Sequence, residues 1–575
     1  MYNTNRILER VRLGASFTVA ALVVGGAHAA SPGITGTTGA NGPVFALVAK
    51  DGFTSQPDGA SVYTWGYGCA SAPGGYVPAT IPNAKCPTSQ MQLPGPTLVV
   101  NQGDTVTVSL QNNLPAAAGS TSILFPGFKV CAATLNSDGT CTGTVSGTPG
   151  VLAQEAAPGG GTVTYTFKAD TAGTHSYYSG TQGDLQVEMG MYGALIVLPS
   201  QVSSSGVSPL NGAVPSGYDS TFVANLAAKR LPNTCFAHAT GGLAVLPNGD
   251  PDYRLAAAAY DHTEACYDRE YLFQFSEMDI RIHNEALSQK DLACTKPSGC
   301  MVVATEPYHP AYFLINGRSM PDDMDPNYAS QYPLQPYNGN PHMHPGELVL
   351  LRVVGQGRMQ HPLHEHANHV RLLARDGNML LTAKNNLAGP LLFTTSTTPG
   401  QTLDGIFQFT GKGLNWDVYG HTADAALAGS GPEGGGGAPC VADGNGYYTT
   451  ASGAPPTAPN YFEWCADHKK PLEEHPFGSV GQGGPVTLPD PNILTNGAWY
   501  SGSPYLGPDA NMRSVGPTPI PPFGTVANSP SGEAGWAFMW HSHNEREITT
   551  NNIFPGGMMM MMLVDPWVYR IQESN

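Results

Sequence analysis

The stretch that decides the fold class is PGPTLVVNQGDTVTVSL, residues 94–110. Apolar and polar side chains alternate on both sides of the Gly103-Asp104 turn, which is typical of two half-buried β-strands joined by a turn. A second group of strands begins at Thr162 and closes at Val197. We therefore predict that residues 40–200 form one β-sandwich.

The later part of the chain repeats this order of strands. Patterns typical of strands recur at 271–275, 312–317, 346–354 and 370–374, and they predict a second sandwich over residues 260–425. Residues 426–530 are rich in glycine and proline and have few apolar runs, so they are predicted to form a long irregular insertion. Strand patterns return at 536–540 and 558–564, and residues 531–575 are expected to complete the last sandwich.

Composition supports an all-β protein. At 575 residues the chain is long enough for two or three domains. Charged residues make up only 12%, whereas 70 glycines and 50 prolines suit short strands joined by many turns. The net charge of −17 argues against a nucleic-acid partner, because such a surface repels phosphate.

The N-terminus has the pattern of a secretory signal peptide. Arg6, Arg10 and Arg12 precede an apolar run, which ends at the small residues Ala27-His28-Ala29. We expect residues 1–29 to be cleaved and the mature protein to be secreted or periplasmic. No other run reaches the roughly 18 apolar residues that span a bilayer, so no transmembrane segment is expected after cleavage.

Ten cysteines agree with an oxidising compartment. They lie in close sequence pairs, which we interpret as five local disulfides: Cys69/Cys86, Cys131/Cys141, Cys235/Cys266, Cys294/Cys300 and Cys440/Cys465. Spacing alone does not fix this connectivity.

Histidines fall in two tight groups. The first is His361-Pro362-Leu363-His364-Glu365-His366, with His369 just beyond, and the second is His541-Ser542-His543. In a strand, each His-x-His presents two imidazoles on one face about 6–7 Å apart. Two such strands brought together form a cage of four nitrogens, which suits copper best among the divalent first-row ions. The alternative for either pair is a hydrogen-bonded surface pair.

The first group closely resembles the H-P-x-H-x-H motif of the multicopper oxidases. The second, Trp540-His541-Ser542-His543 with Met558 downstream, resembles their C-terminal H-C-H motif. Pro94-Gly95-Pro96 and Leu314-Ile315-Asn316-Gly317 also resemble strand openings of that family. The resemblance implies tandem cupredoxin-like Greek-key sandwiches.

The same resemblance implies roles for individual residues. His364 would hold a type 2 copper, and His361 would be one ligand of a type 1 copper. A type 3 pair would be held by His366, His541 and His543. Weaker candidate ligands are His175, His369, Glu545, Glu547 and Met558. For Glu545 and Glu547, solvated charges beyond the strand end are an equal alternative.

Several family positions lack their ligand. The first histidine motif corresponds to Leu124-Phe125-Pro126-Gly127 and the second to Tyr178-Ser179-Gly180. Ser542 stands where the type 1 cysteine is expected, and Glu547 stands at the next type 1 histidine. A hydroxyl does not replace the soft thiolate of a blue-copper site, so a type 1 copper is not expected. The remaining histidines would hold one or two copper ions, or another transition metal.

Three functions follow as hypotheses. The first is a copper-dependent oxidoreductase with a reduced site, acting on a small molecule or a metal ion. The second is a copper-binding protein for tolerance or delivery, without turnover. The third is a scaffold with relic histidines, and fold alone does not choose among them. The resemblance also makes a homotrimer one assembly open to the chain.

Overall fold

The computed structural model describes residues 31–78, 81, 83–199, 252–262, 265–343, 347–408, 440–442, 448–450, 502–506, 534–564 and 571. Within these ranges strands dominate, which confirms the predicted all-β class. The described helices are α1 (Gly183–Gln186), α2 (Ile280–Gln289) and 3₁₀ turns at Ala116–Ala118 and Asp322–Met324. Of these described helices, none combines the length and apolar character needed to cross a bilayer.

Residues 31–199 build a first sandwich. Its strands are β1 (Gly33–Thr35), β2 (Thr37–Thr38), β3 (Pro43–Ser55), β4 (Ser61–Cys69), β5 (Gly75–Val77), β6 (Leu98–Asn101), β7 (Thr105–Asn112), β8 (Thr134–Leu135), β9 (Cys141–Thr142), β10 (Thr148–Pro149), β11 (Gln154–Glu155), β12 (Thr162–Lys168), β13 (Gly173–Tyr178) and β14 (Tyr192–Leu198). One sheet has the order β13-β14-β6-β1-β5, and the other has the order β12-β7-β3-β2 with β4 also paired to β3.

The core of the first sandwich follows from the alternation in the deciding stretch. Val106, Val108 and Leu110 on β7 are fully buried between the sheets, while the threonines and serine between them are partly exposed. Strand β12 pairs antiparallel with β7 along its whole length. The period-two pattern thus correctly indicates which face of the strand is buried.

The second half contains a further set of strands. They are β15 (Arg269–Met278), β16 (Tyr312–Ile315), β17 (His342–Met343), β18 (Leu348–Gly355), β19 (His361–Glu365), β20 (Val370–Arg375), β21 (Asn378–Met379), β22 (Leu391–Leu392), β23 (Thr394–Thr397), β24 (Thr402–Gln408), β25 (Cys440–Ala442), β26 (Tyr448–Thr450), β27 (Gly502–Leu506), β28 (Ala534–Ser542) and β29 (Met559–Val564).

These strands form a second sandwich. One sheet has the order β16-β15-β18-β24-β20-β21, with β22 on β20, and the other has the order β17-β29-β28-β19-β23, with β27 on β28. Leu363 and Trp540 from the second sheet pack against Phe273, Val353 and Phe407 from the first. Chain segments almost two hundred residues apart in sequence therefore share one core.

The sequence-based domain limits stay a prediction, and some of their segments lie outside the described residues. Residues 1–29, the expected signal peptide, are among these. The insertion at 426–530 was expected to be irregular, yet its described residues are strands: β25 pairs with β26, and β27 extends the sheet through β28. Strand β27 lies at the sheet edge, where Pro504 does not interrupt an interior ladder.

Three of the predicted disulfides are confirmed: Cys69–Cys86, Cys131–Cys141 and Cys294–Cys300. Each of the other two predicted pairs includes a cysteine outside the described residues, namely Cys235 and Cys465.

A buried charge network joins the two sandwiches. Arg352 on β18 donates from Nε to Glu270 Oε2 at 2.7 Å and from Nη1 to Thr174 Oγ1 at 3.1 Å. Thr174, on β13 of the first sandwich, donates to Asp404 Oδ1 at 2.6 Å. Tyr260 donates to the other oxygen of Asp404. Since these side chains are all buried, the network sets how the sandwiches meet.

Candidate metal centre

The two histidine motifs lie on neighbouring antiparallel strands. In the register between β19 and β28, Leu363 lies opposite Ser542 and His364 lies opposite His541. The His543 amide continues the pairing and donates to Pro362 O at 2.7 Å. The strand pairing therefore carries both His-x-His motifs to the same place in the sheet.

Four imidazole rings meet there. The ring centroid of His364 lies 4.7 Å from that of His366, 5.6 Å from that of His541 and 5.0 Å from that of His543. The Nε2 atoms of His366 and His541 are 3.2 Å apart, a separation that a shared proton or a shared metal ion can bridge. His364, His366 and His541 are buried, whereas His543 is exposed, so the cluster opens to solvent on one side.

Backbone carbonyls orient two of the rings. His364 Nδ1 lies 2.6 Å from Phe393 O, and His541 Nδ1 lies 2.7 Å from Ser542 O. Since a carbonyl oxygen only accepts, both Nδ1 atoms must carry the proton. In the neutral rings the lone pair is then on Nε2, which is the arrangement of a histidine ready to bind a metal.

Two of the rings, those of His364 and His541, favour their neutral forms. Burial lowers the pKa of His364, and the neighbouring His541 and His543 lower it further, although the bond to Phe393 O opposes this. Burial also lowers the pKa of His541, again with His543 contributing. Neutral imidazole is the form that ligates a metal, so protons compete weakly for this cluster.

This predicts how copper binding depends on pH. Affinity should be nearly constant from about pH 8 down to the ordinary imidazole pKa of about 6.5, because the lowered pKa values of His364 and His541 keep these two rings neutral there. Below that range copper affinity should fall as these two rings gain protons. Competition titrations against a chelator at a series of pH values measure this, and a loss of affinity that begins above pH 7 would contradict it.

The donor set fits copper, although the rings are not arranged around an ion. Within the described ranges, no three His, Cys, Asp or Glu side chains form a finished metal site. The His364 ring instead packs edge to face on its neighbours, at interplanar angles of 74° and 81°. The fit rests on the contacts among the rings and on the Nδ1 protons of His364 and His541, since imidazole suits copper.

His361 does not join the other four, and its assignment as a copper ligand stays a prediction. It is three residues from His364, so the alternation of β19 turns it to the core face together with Leu363. There its Nε2 lies 2.9 Å from Glu277 Oε2 and its Nδ1 lies 2.9 Å from Glu547 Oε2. Both ring nitrogens are thus occupied by carboxylates.

The other weaker candidates also lie away from the cluster, with one at its edge. Glu547 binds His361, and Glu545 is exposed. Met558 is fully buried in the core of the second sandwich, because its strand side faces that core. His175 lies in the first sandwich, with Nε2 3.0 Å from Thr171 O. His369 contacts Phe393, the residue that borders His364.

The residues expected at a type 1 copper do not fit that metal. The Ser542 hydroxyl donates to Glu547 Oε2 at 2.5 Å, and His361 has no nitrogen left for a metal. The expected loss of this site stays a prediction, which these contacts of Ser542 and His361 favour.

Sequence reasoning missed Glu277. A signal existed, since Tyr271, Phe273 and Phe275 alternate toward the core and Glu277 continues their parity on β15. An acidic residue on a core face requires a partner, and His361 provides it. The role of Phe393 carbonyl had no sequence signal, because any residue type offers that oxygen.

Comparisons with known proteins find similarity to multicopper oxidases in part of the chain. A family model described as multicopper oxidase matches residues 74–202. Laccase-3 of Botryotinia fuckeliana is 35% identical over 129 residues, which is 22% of this chain and 22% of that protein. The matched stretch spans under a quarter of that curated relative and ends before the first candidate ligand in β19.

Two solved structures are similar to this chain at low sequence identity. The multicopper oxidase mgLAC is 13% identical, with a TM-score of 0.40, and the alignment covers 91% of this chain and 85% of that one. A blue copper oxidase from Nitrosomonas europaea is 15% identical, with a TM-score of 0.38 and coverage of 90% and 85%. The family model and the laccase match support the interpretation of this chain as a divergent, cupredoxin-like relative of the multicopper oxidases.

Proposed function

We propose that the protein is an exported copper-dependent oxidoreductase with one reduced copper site and no type 1 copper. The observation that carries this proposal is the meeting of His364, His366, His541 and His543 on two paired strands. Copper held by these imidazoles would supply one-electron redox chemistry and would polarise a bound ligand.

The chain's own residues would prepare and orient such a site. Phe393 O and Ser542 O keep protons on the Nδ1 atoms, which leaves the Nε2 atoms as donors. The side chain of Phe393 is 55% exposed and its ring centroid lies 5.8 Å from that of His364. It therefore forms an apolar wall beside the solvent-facing side, where a small molecule would approach.

A second candidate is a copper-binding protein without turnover, serving tolerance or delivery. The uniform donor set favours it, because four imidazoles hold copper without help from a substrate. Secretion or a periplasmic location is part of both proposals. Both proposals also allow a homotrimer. The exposed His543 and Phe393 leave one side of the cluster open, and a neighbouring copy of the chain would cover it.

Metal analysis with optical spectroscopy tests the proposal. Purified full-length protein should retain about one or two copper ions and show no intense blue absorption. Oxygen uptake with phenols, Cu(I) or Mn(II) then separates the candidates: turnover supports the oxidoreductase, and its absence with copper bound supports the binding protein. Protein that retains no copper would leave only a scaffold, and an intense blue band would overturn the assignment.

A further inference from the structure

A histidine lies between two carboxylates where the family would place its type 1 copper. Glu277 belongs to β15, His361 to β19, and Glu547 follows the end of β28. The two contacts, each of 2.9 Å, engage opposite ring nitrogens, and all three side chains are fully buried. We call these residues the imidazole clamp. Because the carboxylates lie on opposite sides of the ring, they do not converge as ligands of one ion.

Further donors fix each carboxylate in place. Ser542 Oγ donates to Glu547 Oε2, and Asn544 Nδ2 donates to Glu547 Oε1 at 2.9 Å. On the other side, the backbone amides of Arg358 and Met359 donate to Glu277 Oε1 at 2.6 and 2.9 Å. The carboxylates thus already accept from several groups, and ionised carboxylates only accept.

More distant charges also face the clamp. Tyr308 bridges Glu277 Oε1 at 3.1 Å and Glu188 Oε2 at 2.5 Å, and the Arg358 guanidinium carbon lies 4.2 Å from the Tyr308 ring centroid. His283 Nε2 lies 3.6 Å from Glu188 Oε1. The ionisable groups around the clamp are therefore the Tyr308 phenol, the Glu188 carboxyl, the Arg358 guanidinium and the His283 imidazole.

The hydrogen-bond pattern sets the charge of the His361 ring. Each 2.9 Å contact between a ring nitrogen and an ionised carboxylate is a hydrogen bond only if that nitrogen donates, and donation from both nitrogens makes the ring an imidazolium. Burial opposes that charge, but the hydrogen bonds and negative charges of Glu277 and Glu547 outweigh it and raise the pKa of His361 to about 9. A buried cation is in this way paired on both sides.

We propose that the imidazole clamp is a positioning device that replaces the type 1 copper. It ties β15, β19 and the segment after β28 together, and so fixes the two strands whose outer faces carry the four-imidazole cluster. The proposal that the clamp positions a copper site rests on the proposed function. His361, Glu277 and Glu547 are positioning residues, since none of them touches the four-imidazole cluster's ligand atoms.

The pH dependence follows with a definite sign. A raised pKa in the folded protein adds stability that is fully present below the unfolded value of about 6.5. This stability is lost as the pH rises through about 9, where His361 becomes neutral between two carboxylates. Copper binding and folding should therefore weaken together above about pH 9, while acid loss of copper belongs to the four-imidazole cluster.

The test combines Glu547→Gln with the control Glu285→Gln on α2, where the carboxylate contacts Arg281 and the Ala304 amide rather than the clamp. Histidine-selective NMR of the copper-free protein, assigned with His361→Gln, should show an imidazolium at neutral pH in the wild type and a neutral ring in Glu547→Gln. Copper affinity should fall about 10–100-fold in Glu547→Gln, as for other supporting partners of metal ligands, and should not change in the control.

The outcomes are distinguishable. A neutral His361 ring in the wild type at pH 7 overturns the proposal. The proposal is also overturned if Glu547→Gln has a neutral His361 ring and yet binds copper as tightly as the wild type. If Glu547→Gln does not fold, Glu277→Gln and the wild-type NMR titration give the same decision. If the wild type binds no copper, the proposed function fails, and the NMR titration with the loss of thermal stability in Glu547→Gln still tests the clamp.

Discussion

Replacing His364 and His543 together by alanine is expected to abolish copper uptake. The two residues come from different strands, and their ring centroids are 5.0 Å apart, so the double variant removes one donor from each motif. Mutation of a residue that only hydrogen-bonds a metal ligand lowers metal affinity by about 10–100-fold. Loss of two ligands should therefore lower copper affinity by more than about 100-fold. Copper content after dialysis, measured alongside far-UV circular dichroism, gives the result.

Two other histidines provide the control for this prediction. His175 and His369 are weaker candidates that lie outside the four-ring cluster, so alanine at both should leave copper content unchanged. If the His364 and His543 double variant keeps wild-type copper content while folded, the four-imidazole cluster is not the metal site. Only the scaffold hypothesis would then remain for these histidines.

Removing the central cation of the inter-sandwich network is expected to have the largest effect on stability. Arg352→Ala leaves Glu270 and Asp404 buried without the guanidinium that pairs with them. Breaking a buried ion pair in this way costs about 3–5 kcal/mol, because a charge remains uncompensated. Denaturant unfolding of the wild type and of Arg352→Ala, followed by tyrosine and tryptophan fluorescence, measures the change in the free energy of unfolding.

An exposed ion pair gives the matched comparison. Lys290 pairs with Asp291, whose side chain is 85% exposed, so Lys290→Ala should leave the free energy of unfolding almost unchanged. If Arg352→Ala and Lys290→Ala have nearly the same free energy of unfolding, Arg352 does not hold the interface between the sandwiches.

The sequence predicted the features that depend on local periodicity. Alternation around Gly103 identified β6 and β7, and the same period placed each His-x-His on one strand face. The local disulfides followed from cysteine spacing, as at Cys131–Cys141. Such features need no knowledge of distant contacts, because the strand backbone alone fixes which residues share a face.

Features that depend on tertiary pairing could not be predicted in this way. The odd spacing of His361 and His364 puts the two rings on opposite faces of β19, but it does not reveal the partners of His361. Its partner Glu277 lies 84 residues away on another strand, and the contact exists only because β15 and β19 belong to one sandwich. The Arg352 network likewise joins Thr174 to the second sandwich across 178 positions.

Pulsed electron paramagnetic resonance of the Cu(II)-loaded protein tests the central claim most directly. If the imidazoles of His364, His366, His541 and His543 share one ion, the copper signal should lack the narrow splitting of a blue site. Several imidazole nitrogens should couple to it, and their number should fall in each single His→Ala variant. A signal coupled to at most one imidazole, or unchanged in all four variants, would contradict the account.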